Sequence, residues 1–292
     1  MTTAQKVMTD AGEGWTGVED TMVSLTDREF AQVAALVYER FGISLTDKKK
    51  ALVRGRLNSL LKAQGYSSFS EYLVAVHADP TGDSLSSLID RISTNHSFFF
   101  REPSHFEFLT EEILPGLCGE RGIAPDALRF WSAGCAAGEE PYTLAMLLHD
   151  HFGGGIGKSG PLVLATDVSM RALQQAAAGA YPEQRVDKVP ERFQKYLRKT
   201  AGQTYEVVES IRQLVLFKRL NFMGDEFPLK GLFDVVFCRN VMIYFDQPTR
   251  LALVAKFHRY LKTGGYLFIG HSETLGRDSP LFRYVRPTVY AK

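Results

Sequence analysis

Cysteine is scarce in this chain. Its three cysteines, Cys118, Cys135 and Cys238, are isolated, with no C-x-x-C pair and no even-numbered framework. That spacing excludes a disulfide scaffold, argues against a structural zinc and suits a reducing cytoplasm. No metal site is expected. Long apolar runs are missing as well: a stretch such as Phe233 to Phe237 is far too short to cross a bilayer, so direct membrane insertion is not expected. The opening MTTAQKVMTDAGEGWTGVEDT has no continuous apolar segment and does not read as a secretory signal. Net charge is almost absent, since 34 Lys and Arg stand against 33 Asp and Glu to leave +1. No global field draws the protein to nucleic acid or membrane, and electrostatic recognition has to come from local patches. No internal repeat is present, and neither a Ser-His-Asp nor a Cys-His arrangement stands out.

What is present is ordinary globular composition, 45% apolar and 23% charged over 292 residues, enough for one large domain or two small ones. Residues 1–24 are polar, Gly-rich and aperiodic, and are expected to form a flexible leader. Helical signals follow. Thr26 and Glu29 have capping-box spacing, and Leu25 and Phe30 occupy the positions of a hydrophobic staple. Phe30, Val33, Val37 and Phe41 make one apolar stripe, which Gly42 ends. A second helix is predicted from Asp47 to about Ala63, with Val53, Leu57, Leu60 and Leu61 inward and Gly65 closing it. Shorter helices are predicted near 68–78 and 83–92. Residues 25–93 are thus expected to be an all-α domain, and 94–127 a linker with a connecting helix.

The pattern changes after Pro125. Apolar strands at 128–132, 161–166, 214–220, 233–238 and 266–270 alternate with helices near 140–151, 169–178 and 247–261. This predicts an α/β domain over 128–292, a parallel sheet covered by helices on both faces, with 282–290 available as an edge strand. Residues 180–212 interrupt the alternation with a polar helix (190–197) and a short β-like piece (205–208). They are read as a small inserted subdomain.

Four segments carry the chemistry. In FWSAGCAAGEEP (130–141) a strand ends, glycines make a tight turn and a helix begins near Pro141. Glycines there allow close approach of a ligand. The dinucleotide fingerprint is incomplete, which disfavours NAD, and Glu139 suits a cationic or amine-bearing ligand better than a phosphate. In LVLATD (162–167), Asp167 ends the second strand, where a carboxylate commonly grips a ribose diol; it could equally cap the next helix, although Ser169 can do that too. FCRNVMIYFD (237–246) carries Arg239, Asn240 and Tyr244 at a strand end. Phe245 is read there as a core aromatic and Asp246 as a helix cap. STNHSFFFREP (93–103) joins the two regions and forms a natural cleft wall, or else a buried linker with a surface arginine.

Taken together, TNHSFFFRE, FWSAGCAAGEEPYTLA, ATDVS and FCRNVMIYFD resemble, in order, the signatures of the CheR-type chemotaxis receptor methyltransferases. The likeness covers 25–292. It implies an α/β fold with a Rossmann-like S-adenosylmethionine methyltransferase domain, an N-terminal all-α domain and a small inserted β-subdomain. It also implies transfer of methyl groups from S-adenosylmethionine to glutamate side chains of chemoreceptors, leaving S-adenosylhomocysteine. Carried over by position, the cofactor contacts are Asn95, Ser97, Arg101, Glu139, Asp167, Asn221, Phe222, Arg239 and Asn240, and Arg101 and Tyr244 sit beside the transferred methyl. Ser97 and Phe222 replace the commoner Thr and Leu. An ionised glutamate needs no general base, which fits the absence of one.

The expected partner is the cytoplasmic domain of a methyl-accepting chemotaxis receptor, met by a cytoplasmic, monomeric enzyme with no nucleic-acid partner. Residues 48–62 hold Lys48, Lys49, Lys50, Arg54, Arg56 and Lys62 and no acid, and Arg54 and Arg56 are candidates for docking an acidic receptor helix. The compact insert suggests weak or absent tethering by a receptor C-terminal peptide. Competing readings are a methyltransferase of a small carboxylic acid and a cofactor-sensing module that has kept the fold.

Overall fold

Residues 22–292 are described by the structure, a computed structural model. The leader expected over 1–24 lies outside the described residues as far as residue 21.

Helix α1 (Asp27–Phe41) starts with a complete capping box: the Glu29 N–H donates to Thr26 Oγ1 at 3.2 Å and the Thr26 N–H to Glu29 Oε2 at 3.0 Å. Leu25 and Phe30 are both buried, as the staple requires. The other Glu29 oxygen accepts from Ser70 N at 2.9 Å and so holds the start of α3. Helices α2 (Lys50–Gln64), α3 (Phe69–Ala78) and α4 (Asp83–Ile92) complete the bundle, and Val33, Val37, Val53, Leu57, Leu61, Phe69 and Tyr72 pack between them. The predicted start of the second helix at Asp47 is a separate 3₁₀ turn, Asp47–Lys49. A connecting helix opens with α5 (Pro103–Phe108) and runs on in wider turns to Glu120.

The remainder is the α/β layer. Strands β1 (Phe130–Ala133) and β2 (Val163–Asp167) flank helix α6 (Glu139–His151), and α7 (Met170–Ala178) follows β2. The insert comes next. It contains β3 (Ala180–Pro182), α8 (Glu183–Val186), α9 (Glu191–Gln194), β4 (Leu197–Lys199), β5 (Thr204–Val207) and α10 (Glu209–Arg212), and its strands form a separate three-stranded antiparallel sheet, β3-β5-β4. The chain then returns through β6 (Val215–Arg219), β7 (Phe233–Cys238), α11 (Gln247–Tyr260) and β8 (Leu261–Ile269). It ends in an antiparallel hairpin of β9 (Arg283–Arg286) and β10 (Val289–Ala291), so the expected edge strand is two strands.

Sheet order is β6-β2-β1-β7-β8-β10-β9, and the first five are parallel. Every residue of β1 and β7 is buried, as expected of strands covered on both faces. Among the described residues no helix is long and apolar enough to cross a membrane.

Candidate active site

The chain runs outward from β1 through β2 to β6, then resumes beside β1 at β7. Neighbouring parallel strands whose connections leave in opposite directions open a crevice at their carboxyl ends. A cavity of about 580 Å³ lies there, of a size suited to a small-molecule cofactor. Its lining includes Asn95, Ser97 and Arg101 from the linker, Gly134 to Ala136 from the turn, Asp167, Asn221, Phe222, Arg239, Asn240 and Tyr244. Lys49, Leu52 and Arg56 close it from the helical bundle.

Asp167 ends β2 and is 7% exposed. Its two oxygens accept the N–H groups of Ala136 and Ser169, both at 2.9 Å. Burial pushes its carboxyl above the usual range, against the pull of those N–H donors. Each oxygen keeps a lone pair, which leaves the carboxylate able to receive two further hydroxyls. Ser169 caps α7, taking the Ala172 N–H at 3.1 Å, so Asp167 is not the cap. The glycines of the turn are also required by packing. A Cβ on Gly134, at φ +88°, would meet Val241 at 2.4 Å, and one on Gly138 would meet Ala176 and Tyr181 at 2.8 Å.

Helix α6 turns its two leading carboxylates in different directions. Glu139 is fully buried and is paired with Arg185 of the insert, outside the cavity lining. The acid that faces the cavity is Glu140, whose Oε1 accepts from Ser132 Oγ at 2.7 Å and whose Oε2 lies 3.6 Å from Arg239. Burial raises the Glu140 carboxyl, offset in part by Arg239. Arg239 is 6% exposed; it also pairs with Glu102 at 3.2 Å, donates to the Arg101 carbonyl and lies over the ring of Phe106. Its Nη1 has no hydrogen-bond partner among the described residues.

Two further acids were not singled out by their sequence context. Glu102 accepts from Asn240 Nδ2 at 3.3 Å. Glu273 accepts the N–H groups of Asn240, Ile243 and Gly270 at 3.0, 3.1 and 2.6 Å, and so fixes the loop bearing Tyr244. The only signal for either was an acid within a polar turn. Of the described non-glycine residues with positive φ, Phe100, Glu102, Ala136, Asn240 and Thr288, two line the cavity, Ala136 and Asn240, and Glu102 accepts from Asn240; strained backbone of this kind is common at functional sites.

The bundle is latched to the cavity rim. Ser44 N–H donates to the Tyr244 carbonyl at 2.9 Å, and Asn221 Nδ2 to the Arg40 carbonyl at 2.7 Å. Lys49 Nζ stands 5.7 Å over the Tyr244 ring. Asp246 caps α11 through the Thr249 N–H, and Phe245 is buried, as their sequence context suggested. Arg101 lies over Phe98 and donates to the His96 carbonyl at 3.1 Å. Asn95 reaches Ser169 Oγ at 3.4 Å, Ser97 interacts with Glu139, and the Phe222 ring packs against Trp131 and Phe257. The two arginines of α2 part company. Arg54 is exposed, whereas Arg56 donates to the Ile92 carbonyl at 2.5 Å and Thr94 Oγ1 at 2.9 Å and clamps the linker.

Residues 95–291 match the family described as CheR methyltransferase, SAM binding domain, and residues 28–93 that described as CheR methyltransferase, all-alpha domain. The chain is 43% identical over 272 residues to a chemotaxis protein methyltransferase of Borreliella burgdorferi, covering 92% of this chain and 96% of that one. It is 34% identical over 274 residues to a chemotaxis protein methyltransferase of Escherichia coli, covering 92% of each.

Proposed function

The chain belongs to the CheR methyltransferase family, and from that membership we propose that it transfers methyl groups from S-adenosylmethionine to glutamate side chains of a chemoreceptor cytoplasmic domain, forming methyl esters. The observation that carries this reading is the shared cavity at the β1–β7 switch point, which gathers Asp167, Arg239, Arg101 and Tyr244. The cavity chemistry fits the cofactor. Asp167 suits the ribose diol, and Arg239 Nη1, without a hydrogen-bond partner among the described residues, suits the carboxylate of its amino-acid end. Asn95, Ser97, Asn221, Phe222 and Asn240 are the further proposed contacts. Of the two leading acids of α6, Glu140 is the better placed for the amino group, and Glu139 supports the wall behind Ser97.

S-Adenosylmethionine, when bound, supplies a methyl on a cationic sulfur that a carboxylate oxygen accepts as the carbon–sulfur bond breaks. The protein's own task is alignment. The incoming glutamate has a reference pKa of about 4.3 and arrives ionised, so no residue has to remove a proton. Arg101 attracts and orients that carboxylate. It does so without seizing it, because a tight bidentate pair would blunt the nucleophile. Tyr244 forms the facing wall.

A protein substrate is favoured by the helical bundle at the mouth. Leu52 and Ile243 are 44% and 48% exposed there, and Lys49 and Arg56 add positive charge. An acidic helix of a receptor offers the matching chemistry. The enzyme is proposed to act as a cytoplasmic monomer, since one chain supplies all the groups named. Labelled methyl should pass from S-adenosylmethionine to a receptor cytoplasmic fragment and be released as methanol by base. Label that stays on the fragment under base would rule out the ester.

A further inference from the structure

We propose that Glu102, His105 and His271 form a site for one zinc-type divalent cation, and that its occupation withdraws Glu102 from Arg239 and so weakens cofactor binding. The second half rests on the reading that Arg239 serves the S-adenosylmethionine cleft.

Thr288 sets the tautomer of His105. Its ring is buried, with Nε2 2.6 Å from Thr288 Oγ1. That hydroxyl donates its single proton to the Pro287 carbonyl, also at 2.6 Å, and a carbonyl can only accept. With its proton on the Pro287 carbonyl, Thr288 accepts toward the ring, which assigns the ring proton to Nε2 and a lone pair to Nδ1. Nδ1 has no hydrogen-bond partner among the described residues and faces Glu102 Oε2 at 3.5 Å. The unpartnered Nδ1 lone pair thus faces a carboxylate oxygen, and a cation between them would be held by both. His271 brings its Nε2 to 4.0 Å from the same oxygen.

The three ligand atoms lie within 4.8 Å of one another. Zinc–ligand bonds of about 2.0–2.2 Å set a tetrahedral edge near 3.4 Å, which the cluster reaches by a modest shift of the half-exposed His271 ring. Two imidazoles and one carboxylate suit zinc; magnesium and calcium prefer all-oxygen sets. His271 is half exposed, so water can supply a fourth ligand. Thr288 is the outer partner that ligating histidines usually have, fixing the ring and its tautomer.

The cost falls on Arg239. Its Nε and Nη2 both lie 3.2 Å from Glu102 Oε2. A divalent cation on that oxygen repels the guanidinium, which has Glu140 as its remaining acidic partner at 3.6 Å. Binding at the two sites is then mutually weakening, and the factor is the same in both directions.

The test is calorimetry on the untagged, full-length, chelator-treated chain. Zn²⁺ is titrated with S-adenosylhomocysteine absent or saturating. One equivalent of zinc should bind. His271→Ala should bind it at least tenfold more weakly while melting like the metal-free parent, and His151→Ala, at an exposed position outside the cluster, should bind it normally. Saturating zinc should weaken S-adenosylhomocysteine at least threefold, with an equal reciprocal effect. Zinc affinity that His271→Ala leaves unchanged, or no binding at all, overturns the site. Bound zinc without effect on S-adenosylhomocysteine overturns the competition. Zinc binding that survives while S-adenosylhomocysteine never binds the metal-free chain supports the site and defeats the cofactor reading instead.

Discussion

The Ala136 N–H donates to Asp167 Oδ2 at 2.9 Å, which ties the turn after β1 to the acid that ends β2. One carboxylate thus shapes the turn and presents lone pairs to the cavity. Asp167→Ala should weaken S-adenosylhomocysteine by about 10- to 150-fold, the loss of about 1.5–3 kcal/mol for hydrogen bonds to a charged group. Calorimetry measures it, and an affinity within twofold of the parent would remove Asp167 from the binding site.

Arg101 is held at the cavity by its own neighbours, the His96 carbonyl and the Phe98 ring. Its proposed work is on the incoming carboxylate. Arg101→Ala should lower kcat by about 100-fold, as expected for a misaligned reactant, and change S-adenosylhomocysteine affinity far less. Equal losses in both would make it a cofactor ligand and nothing more.

Arg54 and Arg56 stand two residues apart on α2 and so face different ways. Arg54→Glu should slow receptor methylation at low salt, with the effect fading as salt rises and the melting temperature unchanged. Arg56→Ala should instead lower the melting temperature, because it frees the Ile92 carbonyl and Thr94 from their clamp. Salt-independent loss in the Arg54 variant would deny it a docking role.

Glu29 gives the helical bundle a dependence on pH. Burial pushes its carboxyl up, but donors from Thr26 and Ser70 outweigh burial and hold it below its ordinary value. As pH falls, the unfolded chain takes up that proton before the folded one does. The stabilisation is therefore complete above about pH 5 and is lost as pH drops through the lower folded value. Glu29→Gln should cost about 1 kcal/mol at neutral pH and flatten the acid limb of a melting-temperature profile. An unaltered limb would exclude Glu29 as its source.

Much of this protein was legible in its order of residues because the signals are local. The box at Thr26 and Glu29, the cap at Asp246 and the buried runs of β1 and β7 each follow from near neighbours and the period of one element. The interruption at 180–212 was likewise visible as too long for a crossover, and it folds as its own sheet. Whether Glu139 or Glu140 faces the cavity was not local. Successive helical residues point about 100° apart, so the choice depends on how α6 docks against the sheet and the insert. Arg56 became a linker clamp because α4 ends beside it in space. Glu102 meets Arg239 and His271 from separate parts of the chain. Sequence determined most of the elements and their caps, since propensity, capping and burial period act over a few residues, although the helix expected over 190–197 is only α9 with strand β4 after it. Tertiary packing alone decided which charges share a site, since hydrogen bonds and ion pairs act through short distances that chain order does not specify.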